Sequence, residues 1–179
     1  MIKTGRLHIG AALILACLLF SCTEKEPEEP GKFNSSERGY AIDFPENWEL
    51  DKEVMELDVI AFSPLESSKD SFRDNISAAS TLLRKPLDSE EVLDANIEGM
   101  MNVITDFEPV ERTKKQIGEH EAAVLVYNQR QGMHNLTSAL YAISTEERAY
   151  LIFCTAEKKK FDNFRDKCEN IVSTFRVLR

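Results

Sequence analysis

The four cysteines are the side chains of this chain most able to form covalent bonds. Cys17 and Cys22 lie in or directly after an apolar N-terminal run, whereas Cys154 and Cys168 lie near the C-terminus. A thiol can carry a lipid, ligate a metal or form a disulfide, and its surroundings in the sequence decide among these roles. The N-terminal and C-terminal pairs therefore need separate explanations.

The N-terminus has the pattern of a lipoprotein signal peptide. A short basic segment, Met1–Arg6, precedes the almost wholly apolar Leu7–Phe20, which is too short for a membrane-spanning helix. The run ends in Leu19-Phe20-Ser21-Cys22, which resembles a lipobox although Phe20 replaces the usual small residue. We expect cleavage of residues 1–21 and a thioether-linked lipid on Cys22, which anchors the chain to a membrane. The alternative is cleavage elsewhere, with Cys22 an ordinary cysteine.

After cleavage and lipidation, only Cys154 and Cys168 remain, in a compartment that permits disulfides. Cys154 lies about 13 Å before the start of the last predicted helix at strand rise. Cys168 lies about 15 Å into that helix at helical rise, so the two reach a similar depth if the helix folds back over the sheet. A disulfide is one interpretation, and two free buried thiols are the other, because the phase of the strand is not fixed.

No constellation of residues indicates catalysis or a metal centre. Glycine-rich phosphate loops, nucleophile elbows, zinc motifs and calcium loops are absent from the sequence. His120 lies between Glu119 and Glu121, but neighbours in a strand point to opposite faces, so we interpret His120, and likewise His134, as hairpin residues. We expect no catalytic residue, no metal ligand and no cofactor.

Charge and composition divide the mature chain into a tether and one domain. Residues 22–38 carry the expected lipid and then prolines, serines and an acidic cluster, which favours an extended, solvated tether. That cluster either marks export to the cell surface or is a plain spacer. Residues 39–179 have the length of one globular domain. Removal of Lys3 and Arg6 from the 22 basic residues leaves 20 against 31 acidic ones, a net charge of −11, which argues against a nucleic-acid partner.

The domain is predicted to contain an antiparallel sheet and two helices. Asp88 and Glu91 form a capping-box pattern at the start of one helix, and the second helix extends over about 158–175. Strands are predicted at Tyr40–Phe44, Val54–Phe62, Asn75–Leu83, Val110–Ile117, Ala122–Arg130, Leu136–Ser144 and Ala149–Thr155. Because short turns join most of these strands, the predicted fold class is α+β, with an antiparallel sheet flanked by helices.

Two segments resemble PsbP-like domains and their DcrB-like bacterial relatives. Tyr40 to Trp48 (YAIDFPENW) is similar to the opening strand and Pro-x-x-Trp corner of that family. Tyr150 to Ala156 followed by Ile171-Val172-Ser173-Thr174-Phe175 is similar to its last strand and final helix, and Gly118 to Ala122 to its central hairpin. The resemblance implies an α/β/α sandwich and a family of small extracytoplasmic domains that bind and help to assemble larger proteins. These are packing motifs, so they bear on the fold more than on activity.

We therefore expect a lipid-anchored, non-enzymatic binding module in a bacterial envelope, with the outer membrane favoured and an envelope protein as partner. A small-ligand or metal-binding lipoprotein is the first alternative, and an enzyme with an unrecognised site is the second. An enclosed apolar cavity would favour the first alternative, and a perturbed carboxylate or histidine in a cleft the second. The polar loop Ser63–Asp74 and the turn Gln129–Met133 are the expected binding surface.

Overall fold

The computed structural model describes residues 29–68 and 70–178. The expected signal peptide, Cys22 and most of the acidic cluster that follows it (Glu24, Glu26 and Glu28, but not Glu29) lie outside the described residues, so the lipid anchor stays a prediction.

The described chain forms ten strands and two helices. In chain order these elements are β1 (Lys32–Ser35), β2 (Tyr40–Asp43), β3 (Glu49–Val54), β4 (Leu57–Phe62), β5 (Asn75–Leu82), α1 (Ser89–Val103), β6 (Thr105–Ile117), β7 (His120–Gln131), β8 (His134–Ser144), β9 (Arg148–Glu157), α2 (Phe161–Val172) and β10 (Arg176–Val177). Seven strands form one antiparallel sheet in the order β3-β4-β5-β9-β8-β7-β6, and β1, β2 and β10 form a smaller sheet.

Each face of the seven-stranded sheet carries its own hydrophobic core. The inner face, which includes Ile76, Tyr141 and Ile152, packs against α2 and the small sheet. The outer face, which includes Leu125 and Leu140, packs against α1. A helix on each side of an antiparallel sheet confirms the predicted α+β fold class.

Helix α1 begins as its sequence predicts. The Asp88 side chain accepts a hydrogen bond from the backbone N–H of Glu91 at 2.8 Å, and the Glu91 carboxylate accepts one from the N–H of Asp88 at 2.9 Å. This capping box satisfies two backbone donors that a helix start would otherwise leave unpaired. Val92, Leu93 and Met100 then share one buried face, which fixes α1 over β7 and β8.

Cys154 and Cys168 are joined by a disulfide in the inner core. Cys154 lies on β9, Cys168 lies on α2, and their Cα atoms are 6.0 Å apart. Both side chains are completely buried. The bridge therefore ties α2 to a central strand of the sheet.

The expected boundary between tether and domain at residues 38 and 39 is wrong. Residues 32–35 form β1, which pairs with β2 in register, Phe33 opposite Ile42. Phe33 is buried, and its ring centroid lies 5.0 Å from that of Tyr40. The folded domain therefore begins at Lys32 or earlier. Although its surroundings in the sequence are polar, Phe33 is buried in the core when β1 pairs with the small sheet.

Some predicted elements differ in extent from the observed ones. The predicted strand Val54–Phe62 is interrupted by a turn at Met55 and Glu56, so β3 and β4 form a hairpin. Strand β6 begins at Thr105 and includes Pro109, which is tolerated because β6 is an edge strand with register shifts at that point. Helix α2 is shorter than predicted, and the short β10 follows it.

Candidate functional site

Helix α1 covers only part of the outer face of the sheet. It contacts β7 and β8, and no helix within residues 29–68 and 70–178 covers the side formed by β3, β4 and β5. The strand register places one row of residues side by side across this open side, and these are Glu49, Phe62, Asn75, Thr155 and Ser138. All of these residues except Ser138, which is completely buried, line the floor of a groove with a volume of about 640 Å³.

Arg73 fixes the loop Ser63–Asp74 at one side of the groove. Its guanidinium donates hydrogen bonds to the backbone carbonyl oxygens of Ser63, at 2.6 Å, and Phe62, at 3.1 Å. It also forms an ion pair with Glu49 at 2.6 Å and lies over the Phe62 ring, 5.2 Å from the centroid. A guanidinium with these partners is rigidly held, so we interpret Arg73 as a wall of the groove rather than as a free anion-binding group.

Phe72 and His134 join the loop to the β7–β8 hairpin. Their ring centroids are 5.4 Å apart. The groove is consequently lined by both segments that the sequence indicates as binding surfaces, with Ser71, Phe72 and Arg73 from the loop and Gln129 and Gln131 from the end of β7. The sequence does not indicate the remaining lining from β3 and β4, although the alternation of Glu49, Leu50 and Asp51 after the Trp48 corner is a signal for an edge strand.

A short chain of hydrogen bonds runs from Gln129, which lines the groove, to hydroxyls buried beneath its floor. The Gln129 amide donates to the Ser138 hydroxyl at 2.9 Å, and the hydroxyls of Ser138 and Thr155 are 2.8 Å apart. Both hydroxyls are buried. A nucleophilic hydroxyl needs a base to accept its proton, and neither an amide nor a second hydroxyl is such a base. These contacts favour a structural role for the two hydroxyls.

A lysine surrounded by carboxylates fastens the back of the same loop to the start of α2. Lys160 Nζ lies 2.9 Å from Asp70, 3.0 Å from Glu66 and 3.5 Å from Glu157. The hydrogen bond to Asp70 raises the pKa of Lys160, and the same bond lowers the pKa of Asp70. Both groups are therefore charged over the whole physiological range, which holds the loop in place.

Asp74, at the end of the loop, is buried without full hydrogen bonding. Only 9% of its surface is exposed, and its Oδ1 atom accepts no hydrogen bond from residues 29–68 and 70–178. Burial raises the pKa of Asp74, and the nearby Lys160 opposes this rise in part. Among residues 29–68 and 70–178, however, no three histidine, cysteine, aspartate or glutamate side chains are arranged to hold a metal ion.

The histidines occupy hairpin ends, as expected from the sequence. His120 begins β7, and its neighbour Glu121 forms an ion pair with Lys114 at 2.7 Å. His134 begins β8, and its Nδ1 atom lies 3.9 Å from Glu157, which is beyond hydrogen-bond distance. His134 is therefore not hydrogen-bonded to Glu157.

No helix within residues 29–68 and 70–178 is long and apolar enough to span a membrane. No protein-family model matches the sequence. No protein of curated function matches it either.

Solved structures nevertheless share the fold. LpqN of Mycobacterium tuberculosis, described as involved in cell envelope biogenesis, superimposes with a TM-score of 0.61 at 15% identity, over 78% of this chain and 83% of LpqN. Cyanobacterial PsbP of Synechocystis gives a TM-score of 0.58 at 12% identity, over 89% of this chain and 98% of that protein. A protein of Bacteroides thetaiotaomicron gives 0.59 at 12% identity, over 85% of this chain and 50% of that protein. The domain therefore has the PsbP-like fold that the terminal motifs indicate.

Proposed function

We propose that this protein is a lipid-anchored binding module of a bacterial envelope, without catalytic activity, and that the outer-face groove receives a partner protein. The observation that carries the proposal is the incomplete cover of the outer face, where α1 leaves a groove of about 640 Å³ over β3, β4 and β5. A sheet with one side covered and the other open provides a rigid platform for a partner.

The lining of the groove suits a protein better than a small apolar molecule. Half-buried Ile60 and Phe62 lie beside polar Asn75, Gln129 and Gln131, a mixture typical of protein interfaces. Small-molecule sites are mostly apolar and enclosed, whereas this groove has substantial polar lining and is open to solvent. The small-ligand alternative is therefore supported less well.

The envelope location is proposed from two independent indications. The lipobox-like Leu19-Phe20-Ser21-Cys22 indicates a lipid anchor. The fold is shared with LpqN, a protein involved in cell envelope biogenesis. An anchor supplied by lipid leaves the whole surface of the domain free for protein contacts.

The anchor is tested by the intact mass of the protein purified from its own cell membranes. We expect a chain that begins at Cys22 and carries the added mass of acyl chains. A chain that begins elsewhere, or an unmodified Cys22, would contradict the proposed anchor.

Binding is tested by crosslinking in the native cell with an affinity-tagged chain. Ser71→Arg places a bulky charge in the groove, and Thr113→Arg makes a matched change at an exposed hydroxyl residue of β6. We expect one dominant envelope protein with the wild-type chain and with Thr113→Arg, and its loss with Ser71→Arg and with Cys22→Ala. An empty capture under conditions that recover known envelope complexes, or equal capture by Ser71→Arg, would overturn the proposal.

A further inference from the structure

The two edges of the seven-stranded sheet are protected to different degrees. Edge strand β6 contains Pro109 and two register shifts, both of which hinder pairing with another strand. Charged residues of β6 also form ion pairs with neighbouring elements, for example Arg112 with Glu90 and Asp94 of α1. Edge strand β3 has no proline and pairs with β4 in unbroken register. No strand within residues 29–68 and 70–178 pairs with the outer edge of β3.

Concavities lie on both sides of β3. The outer one is the groove already described, to which β3 contributes Glu49 and Asp51. The other has a volume of about 430 Å³ and is lined by Trp48, Leu50 and Lys52, with Asp51 at its border. Residues of alternating position therefore face different concavities, as the two-residue period of a strand requires.

We propose that β3 accepts an extended segment of a partner protein as an additional strand of the sheet. An added strand forms backbone hydrogen bonds with the free N–H and C=O groups of an edge and places its own side chains alternately on the two faces. At β3, those side chains enter one concavity and then the other. The inference depends on the proposed function only in that a partner protein exists, and it names the part of that partner which binds.

The charges and apolar surface at β3 define the chemistry of the segment. Asp51 and Glu46 are exposed, and neither has an ion-pair partner among the described residues, whereas Glu49 is paired with Arg73. A lysine or arginine of the segment would pair with Asp51 across the strands. An apolar side chain at the alternate position would contact Leu50 and the edge of Trp48. The segment that fits is extended, with alternating apolar and basic residues.

The test uses the full chain in detergent micelles and a synthetic nine-residue peptide of alternating valine and lysine with blocked ends. Hydrogen exchange, read by mass spectrometry, reports protection of the backbone amides of residues 49–54. We expect the peptide to slow exchange in this segment. A peptide of the same sequence with every second amide N-methylated, and a valine–glutamate peptide, should both protect it less.

Two charge-reversal variants distinguish a local effect at the β3 edge on peptide binding from an effect of the net charge of the protein. Asp51→Lys should weaken binding of the valine–lysine peptide about fivefold to tenfold, because an attractive cross-strand pair becomes repulsive. Glu98→Lys makes the same change on the exposed side of α1 and should leave binding unchanged. Both residues are exposed, so neither substitution threatens the fold.

The proposal is overturned if residues 49–54 stay unprotected at saturating peptide, or if the N-methylated peptide protects them equally well. Sedimentation of the peptide-free chain as a dimer with residues 49–54 already protected would assign the edge to a second copy of this chain, which also overturns it. These outcomes are distinct from the crosslinking result. A chain that captures no partner in the cell can still bind the peptide at β3, and a chain that captures one can fail to do so.

Discussion

Reduction of the bridge between Cys154 and Cys168 should destabilise the domain by about 3 kcal/mol. The two cysteines are 14 residues apart, and closing a loop of about 15 residues removes that much conformational free energy from the unfolded chain. Both thiols should remain in the core after reduction, because both positions are fully buried and Cys168 Sγ lies 3.7 Å from the Tyr141 hydroxyl. The loss of the crosslink is therefore almost the whole effect.

The size of the thermal effect follows from the length of the domain. For a domain of about 150 residues, 1 kcal/mol corresponds to roughly 2–4 °C in Tm, so reduction should lower Tm by about 6–12 °C. The assay is thermal and urea unfolding, followed by circular dichroism, with and without a strong thiol reductant. The control is the double variant Cys154→Ala/Cys168→Ala, which should be less stable than the oxidised protein and indifferent to the reductant.

Two results would refute this reasoning. Titration of the unfolded, unreduced mature protein could reveal two reactive thiols, which would show that the bridge is absent. Alternatively, the reductant could shift the unfolding of the wild-type protein no more than that of the double variant. The first result concerns the existence of the bridge, and the second concerns its energetic contribution.

Three further predictions concern the groove loop and the start of the domain. Because burial raises the pKa of Asp74 above its unfolded value, its contribution to stability is present at acid pH and lost as the pH rises through the folded pKa. Asp74→Asn should therefore be more stable than the wild-type protein at pH 7. As the pH is lowered, the urea unfolding midpoints of the two proteins should converge, and a difference between them that widens in acid would contradict this prediction. Gly31→Ala should cost at least about 1–2 kcal/mol, because Gly31 has a φ of 73° and a new Cβ would collide with the Phe44 carbonyl oxygen. Gly99→Ala, in open space on α1, should instead stabilise by about 0.5–1 kcal/mol, so equal urea midpoints for the two variants would disprove the steric argument. Arg73→Lys keeps the charge but loses the forked hydrogen bonds, so about 1–2 kcal/mol of stability should be lost, with faster hydrogen exchange in residues 63–74; unchanged exchange would show that the guanidinium does not hold the loop.

The sequence predicts those helices and strands whose signals lie within a short stretch of the chain. The capping residues Asp88 and Glu91 identify the start of α1, and continuous runs of apolar residues identify β7, β8 and β9. The sequence does not indicate the turn at Met55 and Glu56, because this turn contains neither glycine nor asparagine, although Met55 adopts a φ of 57°. The sequence does not indicate strand β1 either, because its one large apolar residue, Phe33, is buried only through contacts with other parts of the domain.

The groove could be predicted only in parts. The sequence indicated the loop Ser63–Asp74 and the turn Gln129–Met133, but their proximity depends on β5 pairing with β9, a neighbour far away in the chain. The disulfide also depends on contacts between strands that are distant in the chain, so the sequence alone cannot decide whether it forms. Whether Cys154 faces α2 depends on its pairing with Ile76 and Ala139 on either side, which periodicity within β9 alone cannot establish.

The small sheet also determines how the domain would respond to tension. Lys32 begins β1 and lies opposite Asp43, the last residue of β2, so the β1–β2 hairpin has its open end where the chain arrives from the N-terminus. A pull between a membrane tether and a partner held at β3 would enter the hairpin at this open end. The hydrogen bonds between β1 and β2 would then be loaded one after another, as in unzipping, and not together, as in shear. The N-terminal strand would detach at low force while the bridged core and the β3 edge kept their structure, giving the tether additional length under load.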